Sequence, residues 1–322
     1  MQAEGHNTIE PYTSHLSRSL DGGRSWANES PPNFVGRSSA ASLPPGNIDF
    51  TAPGFALRCV GCGYHGNDEP GGAFFYSLDR GHTWLGPHSF GDLNDHPELA
   101  GMEMTPRTCY VVESSSSVTA LLSARPAKGD GLGVVTDKVF IGRTADYGAT
   151  WTFGGWVVPL DDPYRAVMPA VCWLSATEWV VALRRREIGD HATEKSGWID
   201  VVTTPDAGNT WSAPAGVGDT GPRNGNPPAI ATLGGVIAVA YGERTNRRMV
   251  VRFSTDGGSS FGDEVILRDD YATTDRMPDL GYPRLIAQAD GKFACMYYWA
   301  SPELPRHHIA CTVFDPPAQG KL

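Results

Sequence analysis

No stretch of this sequence is apolar for the length of a membrane-spanning helix, so no membrane span is expected. The opening residues, MQAEGHNTIEPY, are polar and lack the apolar core of a signal peptide. The chain therefore works in the cytosol or starts downstream of a removed segment, and its compartment stays unknown. A basic stripe is missing too. The net charge is −10, and the only basic run of note is Arg184-Arg185-Arg186, which argues against a nucleic-acid partner. It does not argue against an anionic small ligand, because a local arginine cluster overrules the global sign. Metal-ligand spacing is absent as well. Cys59 and Cys62 form a lone CxxC near His65, with no second pair. His6, His15, His65, His96 and His191 are scattered, and His307-His308 opens a late apolar run. No metal or cofactor is expected. Cys109, Cys172, Cys295 and Cys311 sit in apolar runs and read as small buried hydrophobes.

What the sequence has in quantity is turn residues and bulk. It carries 38 glycines and 25 prolines in 322 residues, with nine tryptophans and twelve phenylalanines to bury. Many short apolar runs separated by turns point to an all-β chain. Five segments share the pattern S/T-x-D-x-G-x-S/T-W/F, starting at Ser19, Ser77, Thr144, Thr204 and Ser254. Their aspartates, Asp21, Asp79, Asp146, Asp206 and Asp256, are 58, 67, 60 and 50 residues apart. In each copy the Asp can accept backbone N–H bonds across a turn, and the Gly can take φ > 0. The terminal Trp or Phe can pin the turn to the body. A residue repeated in every unit builds a scaffold, so these aspartates are not candidate catalysts. The spacing suits four-stranded propeller blades of about 40–50 residues plus loops.

Around the turns, apolar runs mark out blades: FALRCV and AFFYSL; TCYVVE, VTALLSA and VFIGRT; MPAVCWL, WVVALRR and WIDVVT; PPAIATL, VIAVAYG and MVVRFS; YPRLIAQ, KFACMYYW and HIACTVF. Residues 1–34 supply only the outer half of a blade, a partial first blade short of its inner strands. The expectation is a single β-propeller domain over residues 1–322, six-bladed, with five blades as the alternative.

The five turns, known as Asp-boxes or BNR repeats, and the strand rhythm around them resemble the sialidase (neuraminidase) superfamily over nearly the whole chain. That superfamily includes hydrolases, lyases and non-catalytic glycan binders. The resemblance to its sialidases implies an exo-glycosidase that cleaves terminal sialic acid with retention, using a tyrosine nucleophile paired with a glutamate, an aspartate acid/base and three arginines on the substrate carboxylate. Gly281-Tyr282-Pro283-Arg284, ahead of LIAQADGKFACMYYW, matches the place of the tyrosine, so Tyr282 takes that role. Arg184, in WVVALRRRE, matches the second arginine, and Arg186 shares its face while Arg185 points the other way. Arg244 or Arg223 matches the third. The Phe-Arg-Ile-Pro motif of the first arginine is absent, and Met168-Pro169 stands where the glutamate is expected, leaving Glu187 or Glu243 to serve from neighbouring loops.

A propeller's mouth is lined by the starts of inner strands and the ends of second strands. Those positions select Asp49, Glu103, Arg107, Arg165, Arg223, Asn224, Asn226, Asp279, Tyr282 and Arg284, with Arg184, Arg186, Glu187, Tyr241, Glu243, Arg244 and Tyr298. The expected catalytic set is Tyr282, Asp49, Glu187 and Glu243. The expected substrate set is Arg184, Arg186, Arg223, Asn224, Arg244 and Arg284, acting on a carbohydrate that bears a carboxylate. The alternatives are a polysaccharide lyase on a uronate, with arginine neutralising the carboxylate while Tyr or His takes the C5 proton, and a non-catalytic glycan-binding propeller.

Overall fold

The computed structural model describes residues 15–31, 41–60, 71–127, 136–188, 196–222, 225–272 and 278–317. It is a β-propeller of five antiparallel blades, the alternative count rather than six. Blade I holds β3 (Ala56–Val60), β4 (Ala73–Ser77) and β5 (Leu85–His88). Blade II holds β6 (Met102–Val112), β7 (Val118–Pro126), β8 (Lys138–Thr144) and β9 (Thr152–Trp156). Blade III holds β10 (Tyr164–Trp173), β11 (Trp179–Glu187), β12 (Gly197–Thr204) and β13 (Ala215–Gly221). Blade IV holds β14 (Ala229–Leu233), β15 (Val236–Glu243), β16 (Arg248–Ser254) and β17 (Val265–Arg268), and blade V holds β18 (Gly281–Ala287), β19 (Phe293–Trp299) and β20 (His308–Phe314). The half-blade expected near the N-terminus is a two-stranded ribbon, β1 (Leu16–Arg18) with β2 (Ala27–Glu29).

Blades stack because strand side chains alternate between faces. In β11, Val181 and Leu183 enter the core shared with blade II, while Val180 and Ala182 enter the core shared with blade IV. A strand covered on both faces must read as a continuous apolar run, and WVVAL does. Four such cores join the five blades in succession. Among the described residues none joins blade V to blade I. The ribbon stands there instead. Gln288 Nε2 donates to the Gly22 carbonyl at 2.9 Å, and Arg18 Nη1 donates to the Arg80 carbonyl at 2.9 Å.

The Asp-boxes are the hairpins that lead into the outermost strand: β4 to β5, β8 to β9, β12 to β13 and β16 to β17 in blades I to IV, and β1 to β2 in the ribbon. Asp79 is representative. Its carboxylate accepts from Thr83 N at 2.9 Å, Thr83 Oγ1 at 2.7 Å and Ser77 Oγ at 2.8 Å, and Trp84 Nε1 closes on the Gly81 carbonyl at 3.1 Å. Arg80 and Gly81 are both left-handed, at φ 61° and 82°. Trp84 and Trp151 are buried as expected, but Trp26 of the ribbon is exposed, since no blade covers it. The Thr83 amide and hydroxyl and the Ser77 hydroxyl hold Asp79 at a pKa of about 2, and the Ser260 hydroxyl first among others holds Asp256 at about 2. A depressed folded-state pKa gives stability that is present above the ordinary carboxylate value and lost as pH falls through the folded value. Acid unfolding is therefore expected from about pH 4 down to about pH 2, followed by tryptophan fluorescence. A transition complete by about pH 5 would mean that other groups control it.

Candidate active site at the propeller mouth

Inner strands start, and second strands end, at the end of the propeller opposite the Asp-boxes. The sequence shapes this mouth with a repeated dipeptide, a residue followed by proline: Thr105-Pro106, Met168-Pro169, Asn226-Pro227 and Tyr282-Pro283. Proline donates no ladder bond, and pairing breaks at the dipeptide in three inner strands, between Thr105 and Cys109, Val167 and Ala170, and Gly281 and Arg284. Met168 and Tyr282 sit at φ 54° and 50°. A residue before proline prefers extended backbone, and a left-handed non-glycine residue costs about 1–3 kcal/mol. Such strain persists only where the surroundings hold it.

Next to this rim lies a set of buried charges. Arg125 Nε donates to Glu103 at 2.6 Å, and Arg165 Nε to Asp137 at 2.7 Å. Arg185 grips both oxygens of Asp162 at 2.8 Å and reaches Asp200 at 3.1 Å. Lys138 also reaches Asp162, at 3.4 Å. Arg184 and Arg186 occupy the other face of β11. Arg184 Nη1 approaches Met168 Sδ at 3.2 Å. Arg186 is 1% exposed, and among the described residues none of its three guanidinium nitrogens has a hydrogen-bond partner. Burial pushes its pKa down to about 10, Arg165 adds to the shift and Asp137 opposes it. Burying a charge without hydrogen bonds is costly, and among the described residues Arg186 is such a case at this end of the fold.

A second group spans blades IV and V. Tyr298 donates its hydroxyl to Asp279 Oδ1 at 2.5 Å, and Arg244 Nη2 lies 3.7 Å from the same oxygen. Burial first, then the Asp279 charge, hold the Tyr298 phenol protonated well above its usual range. The Asp279 carbonyl is fixed by the Tyr271 hydroxyl at 3.0 Å and stands 2.7 Å from His307 Nε2. Tyr282 lies against Tyr298, ring centroids 5.7 Å apart and planes 30° apart. The mouth thus joins two arginines on one strand face, a strained tyrosine, and a carboxylate hydrogen-bonded to a second tyrosine.

The model of the BNR repeat-like domain family matches residues 59–295. The chain belongs to that family. No curated protein matches its sequence. Among solved structures, the BNR repeat-like propeller is similar to the GH93 α-L-arabinofuranosidase of Fusarium graminearum with arabinobiose, at 13% identity and a TM-score of 0.59, covering 94% of this chain and 84% of that one. The same enzyme with an iminosugar inhibitor gives 14% identity and 0.57, at the same coverage. A leech intramolecular trans-sialidase is similar over 76% of this chain and 36% of that one, at 15% identity and 0.48. The first two likenesses establish a shared fold.

Within the BNR repeat-like propeller, the residues expected at the site part company. Tyr282, Arg184, Arg186, Arg244 and Glu187 share the mouth end, and Glu187 is exposed there. Arg244 acts as a strut, its Nη1 donating to the Gly225 carbonyl at 3.0 Å. Arg284 is exposed further down β18, with Nη1 on the Pro283 carbonyl at 3.3 Å. Glu243 turns away: its carboxylate caps the following turn, accepting from Thr245 N at 2.6 Å and Asn246 N at 2.9 Å. Asp49 lies at the opposite end, so it is not beside Tyr282. Its neighbours Ile48 and Phe50 donate backbone bonds to Tyr147 and Ser115, residues of the Asp-box end, and its carboxylate caps Thr51. Arg223 and Asn224 fall outside the described residues, and nothing is described of the Arg107 side chain. Tyr241 is fully buried with its hydroxyl 3.3 Å from Glu264. Among the described residues no group of three or more His, Cys, Asp or Glu is placed to hold a metal, and no helix is long and apolar enough to cross a membrane. The pairing of Tyr298 with Asp279 went unread in the sequence; the repeated residue-proline dipeptide is the signal that marks the rim.

Proposed function

We propose that the protein is a glycosidase that receives a carboxylate-bearing sugar at the propeller mouth. The observation that carries this reading is Arg186, a buried guanidinium beside Arg184 on one strand face, with no hydrogen-bond partner among the described residues. A planar carboxylate supplies the two acceptors that a guanidinium fork fits. A propeller of this fold solved with arabinobiose supports carbohydrate as the ligand class.

In the reaction we assign, Asp279 takes the phenol proton of Tyr282, and the phenolate oxygen attacks the anomeric carbon. The glycosidic C–O bond breaks, and Glu187 gives its proton to the leaving oxygen. Water then attacks the anomeric carbon, Glu187 recovers a proton from it, and the tyrosine oxygen leaves and regains its proton from Asp279. Two inversions give net retention. A nucleophile that is neutral before activation avoids repulsion by an anionic sugar.

The test is a panel of fluorogenic glycosides: sialoside, glucuronide, rhamnoside, arabinofuranoside and neutral hexosides. Release from an acidic glycoside is expected. Turnover of the arabinofuranoside alone would overturn the carboxylate, and an unsaturated product absorbing in the near ultraviolet would replace hydrolysis by elimination. Silence on every substrate, with saturable sugar binding, would leave a glycan-binding propeller.

Arg186→Met separates ligand recognition from folding. Removing an unmatched buried charge is expected to stabilise the protein by about 1–2 kcal/mol in urea, while KM for the acidic glycoside rises about 10–100-fold. A variant that unfolds earlier than the parent would show that Arg186 supports the fold, contrary to this reading.

A further inference from the structure

Asn226 is a polar side chain of the mouth that the proposed reaction leaves unused. It is 0% exposed and lies just before β14, on blade IV. Its side chain crosses to blade V. Nδ2 donates to the Leu280 carbonyl at 2.8 Å, and Oδ1 accepts from Tyr282 N at 3.0 Å. The two bonds straddle Gly281, which sits at φ 106°. Both neighbours that wall the amide are glycines. A Cβ on Gly281 would stand 2.4 Å from Oδ1, and a Cβ on Gly242 would stand 2.8 Å from Nδ2. The slot is therefore shaped for a carboxamide and closed to bulk on two sides.

The local sequence explains why a side chain is needed. Pro227, Pro228 and Pro283 have no N–H, so the chain next to these two strand heads is short of ladder donors. The Asn226 amide supplies one donor and one acceptor, as a strand would. By holding Tyr282 N it also fixes the backbone of a residue that, before proline, would otherwise relax to the extended region. That relaxation turns the side chain toward a different face and takes the phenol away from Tyr298.

We infer that Asn226 is the positioning residue for Tyr282, a side-chain clamp from blade IV that holds the tyrosine of blade V in its left-handed conformation at the mouth. The inference rests on the reading of Tyr282 as the reactive group, but its physical claim, that Asn226 sets the place of that phenol, is measured independently. Protein labelled with 3-fluorotyrosine gives one fluorine resonance per tyrosine, and the Tyr282 resonance is identified by its loss in Tyr282→Phe.

In Asn226→Ala the Tyr282 resonance is expected to shift or split while those of Tyr76 and Tyr147 stay in place. On the acidic glycoside that variant is expected to lose about 100-fold in kcat with KM changed less than about threefold. Asn226→Asp keeps the acceptor for Tyr282 N and is expected to recover about tenfold of that loss. On the Tyr282→Phe background, where the phenol is already gone, Asn226→Ala is expected to cost less than about twofold more. An unmoved Tyr282 resonance in Asn226→Ala overturns the clamp, as does a full loss of kcat repeated on the Phe background. If Asn226→Ala does not fold, Asn226→Ser, whose side chain is too short to reach the Tyr282 amide, decides by the same resonance. Full activity of Tyr282→Phe would remove Tyr282 as the reactive group and leave the fluorine result to judge the clamp alone.

Discussion

Tyr282→Phe is expected to lower kcat on the acidic glycoside by about 10,000-fold, in keeping with loss of a covalent nucleophile, and to leave the thermal midpoint nearly unchanged. The change removes one oxygen. The ring that lies 5.7 Å from Tyr298 remains, and the backbone bond to Asn226 does not involve the phenol. Strain at φ 50° is a property of the backbone and is kept. The measurement is steady-state turnover paired with calorimetry. A variant that turns over within about tenfold of the parent would assign the covalent step elsewhere, and Asp279 would then be the group to replace. A variant that loses activity together with several degrees of midpoint would instead make the hydroxyl structural.

The largest loss of stability is expected from Asp162→Ala. Asp162 accepts both Arg185 bonds at 2.8 Å and receives Lys138. Burial alone would raise its pKa, but hydrogen bonding to Arg185, the Tyr164 amide and the two nearby cations bring it below the ordinary value. Removing it strands a guanidinium that is 1% exposed, with Asp200 its remaining carboxylate. Breaking one side of a buried pair costs about 3–5 kcal/mol, to be read as an earlier urea midpoint at unchanged slope. The same carboxylate makes a contribution that is present above its unfolded pKa and lost on acidification. The gap between parent and variant should therefore narrow as pH falls below about 4. A constant gap from pH 7 to about pH 3 would show that the loss comes from packing alone.

The blades were legible because their punctuation is local. Every hydrogen bond that the Asp79 carboxylate accepts comes from within five residues of it, so five copies of the motif announce five hairpins in contiguous text. The count of six came from giving the copy at Ser19 the weight of a blade. Its turn is made like the others, yet only two strands carry it, and nothing in the motif records what lies inward of it. The split of Arg184 and Arg186 from Arg185 was legible because a strand has period two. Asp49 was not, because what sends it to the Asp-box end is a pair of backbone bonds to residues 147 and 115. Glu243 has the right strand end and the wrong direction, since two free amides two and three residues on are nearer partners than the axis. Asn226 was placed at the mouth correctly, but its partner Tyr282 is 56 residues away, and no local pattern couples the two.

A ring of blades is a hoop, and a hoop is as strong in tension as its weakest joint. Here four joints are apolar cores and the fifth is the ribbon, held to blade V by Gln288 and to blade I by Arg18. Tyr282 stands on the blade at that joint, whereas Arg184 and Arg186 stand two blades back, between cores on both sides. Two of the packed cores lie between blades III and V, so loosening the hoop at its ribbon joint would leave the arginines and the tyrosine at their present spacing.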